Sequence, residues 1–492
     1  MKQRSLLLPL LALSLPLTRC ALTDHYELFG AGASGSADDA AGTAGTTTLG
    51  SGGEASGAGS SSIGAAGGTS GGAGGLVGGG GGTVTQGGSA GGGGIPAVCA
   101  STCGAPQQCC GTTCSDLAID AQNCGSCGNA CEQGRTCATS TCSVGWLTMA
   151  APPMGFVGRT RAASVAMGRS VFIWGGLDNS GNALDTGAIY SPVTDDWVDV
   201  SKGLGMLTPR STATAVWTGS VVIVFGGIDG TENLLKDAAA YDPQSKLWSA
   251  LPSAATARSQ PLGFWDGARA IFWGGTATNN LPIAGADRFD LTTWAASSKT
   301  GDPGQLLAPA VGFDGSIVYF QGGLFNGNNR QDKVFSYTTK TDNWSALSKS
   351  LSARSSAFGA WDGSHFVVWG GRDDVALRND GKYLSGSTWV SMGAIAAPSA
   401  RSLYARRGGW AFAVHPGMIA ILGGEVSLSG NGTMSANGAT YDVAGNTWKP
   451  IADWPTSEAH DYGVGVWTGD EFVVWSGVDT GKVSTTGQRL TF

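Results

Sequence analysis

Seven apolar strands between residues 145 and 492 run into a glycine doublet or its equivalent. The doublets are Gly175-Gly176, Gly226-Gly227, Gly274-Gly275, Gly322-Gly323, Gly370-Gly371 and Gly423-Gly424, and the seventh strand ends in Ser476-Gly477. Their spacing of 48 to 53 residues is that of a repeat architecture. Consecutive apolar residues, as in Val171-Phe172-Ile173-Trp174, predict strands buried on both faces. A tight turn with Gly second precedes each of them, as at Asp266-Gly267, Asp314-Gly315 and Asp362-Gly363, and predicts a hairpin. After a variable loop come an aromatic strand and then a Trp strand. The pairs are Tyr190/Trp197, Tyr241/Trp248, Phe289/Trp294, Tyr337/Trp344, Tyr383/Trp389 and Tyr441/Trp448. Each unit therefore reads as four strands, a to d. The chain stops in the seventh c strand, and Trp146-Leu147-Thr148-Met149 matches Trp248-Ser249-Ala250-Leu251, so this N-terminal strand is expected to complete the last sheet. The doublets are expected where a Cβ would clash, and the Trp side chains between neighbouring sheets.

Di-glycine, Tyr and Trp at this spacing resemble the kelch repeat over residues 145–492. The resemblance implies an all-β fold, a seven-bladed kelch-type β-propeller closed by the N-terminal strand. It also implies partner binding by variable loops on a rigid scaffold. The b–c and d–a loops vary in length and share one face, and the longest span residues 425–437 and 394–409. Some kelch-fold proteins are copper oxidases or sialic-acid epimerases. Copper needs clustered His and Tyr, but His25, His365, His415 and His460 fall at strand positions that do not converge. No catalytic residue, metal or cofactor is expected. Asp178-Asn179-Ser180-Gly181-Asn182 is only loosely like a calcium loop and lacks the closing Glu.

Two sets of residues are candidate ligand contacts. An Arg recurs sixteen residues before the doublet, at Arg159, Arg210, Arg258, Arg354 and Arg407, with Leu306 in the fourth unit and His460 in the seventh. Five cations at the mouth of a channel can hold an anionic ligand. They can equally pair with the acidic residues before strand c, Asp185, Asp237, Asp287, Asp332 and Asp380. Trp410 and Trp454 fall outside the repeat register, as a stacking platform or as loop packing.

The N-terminal part is of another kind. Residues 1–20 read as an export leader, with Lys2 and Arg4 before an apolar stretch at 6–17. Leu17-Thr18-Arg19-Cys20 resembles a bacterial lipobox, with Arg where that family has a small residue, and implies lipidation of Cys20. Residues 21–98 form a Gly/Ser/Ala-rich linker too poor in apolar side chains to fold. Its central 66 residues would span about 45 Å on average. Residues 99–142 carry ten cysteines, Cys99, Cys103, Cys109, Cys110, Cys114, Cys124, Cys127, Cys131, Cys137 and Cys142. Disulfides must replace a core there, with the pairing open. The run Cys109-Cys110-x3-Cys114 with Asn123-Cys124-Gly125-x-Cys127-Gly128 resembles the cysteine-rich module of stigma-specific secreted proteins. The segment holds no His, which argues against zinc at Cys124-x2-Cys127.

Charged residues are only 13% of the chain, the net charge is −7 and no basic block exists, which excludes nucleic-acid binding. The expectation is an exported monomer, lipid-anchored at the outer membrane or cell surface, or otherwise secreted. It binds a protein, peptide or glycan without catalysis. The alternative is a carbohydrate-active enzyme, oxidase- or epimerase-like, with its site at the channel mouth.

Overall fold

The computed structural model describes residues 103–492, apart from 132–136, 139, 143–144, 201–204, 279, 404–408, 429–433, 455–461 and 480. The leader, Cys20, the linker, Cys99, Arg407 and His460 lie outside the described residues. The described residues divide between a unit ending at Cys114 and a unit running from Ser115 to Phe492.

In the first unit Cys103 pairs with Cys114. In the second, Cys124 pairs with Cys137 and Cys131 with Cys142. Cys109, Cys110 and Cys127 are disulfide-bonded as well. The sulfur atoms of Cys124, Cys131 and Cys142 lie within 4.8 Å of one another. Because they are bound in disulfides, they offer no thiolate to a metal.

The rest of the second unit is all-β. Seven four-stranded antiparallel sheets are present among the described residues, six of them continuous in sequence. In sheet 1, Ala163–Met167 pairs with Ser170–Trp174, then Gly187–Ser191, then Asp196–Asp199. Sheet 7 is built from Val464–Trp467, Glu471–Trp475 and Gly487–Thr491, and its fourth strand is Gly145–Thr148. The register there is Thr491 opposite Gly145 and Gln488 opposite Thr148. The aromatic residue of strand c faces the Trp of strand d directly in sheets 1, 2, 3, 4 and 6. Sheet 5 differs, since Trp389 faces Leu384 rather than Tyr383.

The second strand of each sheet is buried on both sides, as its unbroken apolar run requires. The core lies between sheets: Phe172, Trp174, Val222, Val224 and Tyr241 form one cluster across sheets 1 and 2. The seven d-strand Trp residues also carry a polar tie. Each indole Nε1 donates at 2.7–3.2 Å to a backbone carbonyl at the outer end of the preceding sheet. Trp248 donates to Val200, Trp197 to Ala150 and Trp146 to Ala452. A Trp thus contributes a few kcal/mol of burial and about 1 kcal/mol of hydrogen bonding at each junction.

The doublets explain themselves geometrically. Gly226 has φ +69°, and a Cβ there would stand 2.5 Å from the Arg258 carbonyl oxygen of the next sheet. Gly227, at φ +98°, would meet the Ser211 carbonyl at 2.6 Å. Only glycine allows both the backbone conformation and the approach.

Candidate functional site

Each sheet has a turn face, with the a–b and c–d turns, and a loop face, with the b–c and d–a loops. The recurrent Arg residues open strand a on the loop face. Arg159, Arg210, Arg258 and Arg354 are all at most 3% exposed, and each donates from Nη1 to the carbonyl of the first doublet Gly sixteen residues on.

In the sixth sheet the structure corrects the sequence reading. The residue in this position is Arg401, not Arg407: Arg401 is fully buried and donates to Gly423 at 3.0 Å across 22 residues. The signal that finds it is Ser/Thr-x-Arg-Ser. In Thr208-Pro209-Arg210-Ser211, Ser352-Ala353-Arg354-Ser355 and Ser399-Ala400-Arg401-Ser402, the hydroxyl two residues before the Arg accepts from Nη2.

The partners fall into two classes. Asp237 and Asp380 each grip their Arg with both oxygens, and Asp287 takes Arg258 Nε at 2.6 Å. Arg159 and Arg401 have only neutral acceptors, Thr186 and Asn437. Burial without a carboxylate pulls their guanidinium groups down, Arg159 to about 9 and Arg401 to about 10, so both stay charged at neutral pH. Phe156 supports Arg159 from below, its ring centroid 4.0 Å from Cζ. In the fourth sheet, where Leu306 replaces the Arg, Asp332 turns to Lys349 at 2.7 Å.

Donor accounting decides what these side chains can do. A guanidinium has five N–H groups. Arg210, Arg354 and Arg401 place all five on groups of their own sheet. Arg159 places four. These four residues tie the sheet edge together and have little left for a ligand. Arg258 places three, and its Nη2 makes no hydrogen bond among the described residues.

Trp410 and Trp454 present no stacking face, being 3% and 8% exposed. Trp410 packs over Gly465, where any Cβ would stand 2.0 Å from its Nε1, and Trp454 stacks on Trp146 at 4.8 Å. His365 and His415 lie on the turn face, beside Asp362 and the Pro416 carbonyl respectively. The Asp178 loop folds on itself, Asp178 accepting from the Ser180 and Asn182 amides at 2.8 Å. The matching Asp229 carboxyl is held down at about 2: burial pushes it up, but hydrogen bonds from Asn233 and Thr231 outweigh that. Both carboxylates therefore serve loop geometry.

A search of curated proteins finds no match to the chain. Residues 95–145 match the model of the stigma-specific STIG1-like protein family. Residues 158–203 and 209–254, covering sheets 1 and 2, match that of the kelch motif, so the chain joins a STIG1-like cysteine-rich segment to kelch motifs.

Proposed function

We propose that this chain is a non-catalytic binding module of the cell surface, which recognises a protein partner through the loop face of a closed seven-bladed propeller. Kelch motifs commonly mediate protein binding. Closure is supported by the Trp ties, which run from each sheet to the one before it and link sheet 1 to Ala150 behind the Gly145–Thr148 strand.

The carrying observation is the distribution of exposed apolar side chains. Met154, Met206, Leu281, Phe325, Val375, Ile395 and Leu428 lie in b–c or d–a loops, and Val375 and Ile395 are 78% and 87% exposed, whereas the turn face carries Val193, Leu247, Leu291 and Phe492, none above 63%. The most exposed apolar side chains of the sheets thus lie on the loop face, and such exposure on a rigid scaffold suits an interaction surface. The paired variant Val375→Asp/Ile395→Asp is expected to lose at least about tenfold in binding to surface extracts of the source cells, measured by biolayer interferometry. The turn-face pair Leu247→Asp/Leu291→Asp should bind like wild type. Equal losses in both pairs would refute the loop-face assignment.

The same proposal places the chain outside the cell, anchored by a lipid on Cys20. Acyl chains contribute about 0.8 kcal/mol per buried CH₂. Cys20→Ala is expected to move the protein from the membrane pellet to the soluble fraction, and unchanged partition would remove the anchor.

A further inference from the structure

The junction between sheets 3 and 4 differs from its neighbours. Elsewhere the carbonyl of the next sheet's Arg closes on the first doublet Gly. An added Cβ would stand 2.8 Å from it at Gly175, 2.4 Å at Gly322 and 2.8 Å at Gly370. At Gly274, with Leu306 in place of the Arg, the nearest atom is the Ile283 carbonyl at 3.9 Å. A second side chain is missing beside this gap. Gly285 occupies the position that Asp237 holds in sheet 2, eleven residues after the first doublet Gly.

Three groups converge on the space so left. Arg258 is 3% exposed, reaches the Gly285 carbonyl with Nη1 at 3.3 Å and leaves Nη2 without an acceptor among the described residues. Asp302 arrives from the d–a loop. Its Oδ1 accepts from the Gly304 amide at 2.7 Å, and its Oδ2 lies 3.3 Å from where a Gly285 Cβ would be. No ion pair joins Asp302 to Arg258 among the described residues, although the two sense one another's charge, and the Ser297 hydroxyl lies 3.4 Å from the same Cβ position. Burial pushes the Asp302 carboxyl up. Phe325 packs its ring edge against Gly304 and is 37% exposed.

We propose that this cleft binds a neutral saccharide unit, with hydroxyls accepting from Arg258 Nη2 and donating to Asp302 Oδ2 and the C–H face of the sugar on Phe325. Charge selects the class. The Arg258 guanidinium repels an ammonium ion, while Asp287 and Asp302 repel a phosphate or carboxylate. A hydroxyl is both donor and acceptor and suits the unmatched pair. The site shares the loop face with the exposed apolar residues but is built from other side chains than Val375 and Ile395.

Saturation-transfer NMR on the full-length chain tests this, with methyl glycosides of glucose, galactose, mannose and N-acetylglucosamine as probes and methylammonium and phosphate as charged controls. At least one glycoside is expected to receive saturation. Asp302→Ala should weaken it about tenfold or more by loss of a charge-assisted hydrogen bond, and Phe325→Ala about threefold, both at unchanged melting temperature. Three results would each overturn the proposal: no glycoside binding to wild type, as for a cleft that holds only water; binding undiminished in Asp302→Ala; or saturation of a charged control alone. Asp302→Ala should keep full binding to surface extracts, so failure here is distinct from failure of the loop-face reading.

Discussion

A chain beginning at Ala150 is expected to be far less stable than one beginning at Gly145, although the two differ by five residues. The shorter chain lacks the fourth strand of sheet 7 and leaves Gly487–Thr491 as an open edge. It also lacks Trp146, which donates to Ala452 of sheet 6 and stacks on Trp454. Loss of the Trp costs about 3 kcal/mol and the ladder bonds about 1 kcal/mol each, so a deficit of about 5 kcal/mol or more is expected. That is a large share of the stability of an ordinary domain, and an unpaired edge invites aggregation. Denaturant unfolding and light scattering on both chains provide the check. Equal midpoints and two monodisperse samples would contradict a fold closed by its N-terminal strand.

The second large effect is expected from Arg210→Met. All five N–H groups of this fully buried side chain are engaged, on Thr208, Gly226 and Asp237. The Met leaves the buried Gly226 carbonyl without its donor and removes every other hydrogen bond of the guanidinium. The hydrogen bonds of this fully buried side chain are worth about 1 kcal/mol each, so a loss of about 3 kcal/mol or somewhat more is expected. Asp237→Asn is expected to cost much less, about 1 kcal/mol, because an amide oxygen can still accept there, as Asn437 does from Arg401. Thermal unfolding of the two variants separates a structural tie from a ligand contact, since a ligand-binding Arg is removed with little change in melting.

The repeat was legible because its causes are local. A doublet Gly, a buried strand and a Trp recur wherever one sheet meets the next, and each is forced by a contact of fixed geometry, such as Gly226 on the Arg258 carbonyl. The Arg position was legible only where the spacing held. Six extra residues before the sixth sheet moved the sixteen-residue count from Arg401 to Arg407, while the hydroxyl of Ser399 marked the true position. Trp410 and Trp454 fell outside the repeat register, yet both are core residues, because Gly465 and Trp146 make room for them. The cleft at sheets 3 and 4 was the least legible. It arises from residues that are small or apolar where others are charged, Gly285 and Leu306, and it becomes a site only when Asp302 reaches it from a loop.

The direction of the Gly145–Thr148 strand fixes how the domain is presented. Gly145 lies opposite Thr491, at the c–d turn end of sheet 7, and the strand then runs toward the d–a loop that carries Met154. Both ends of residues 145–492 therefore emerge from the turn face, at one sheet. Gly145 and Thr491, the first and last strand residues of these sheets, thus sit together at the end of sheet 7 opposite its b–c and d–a loops.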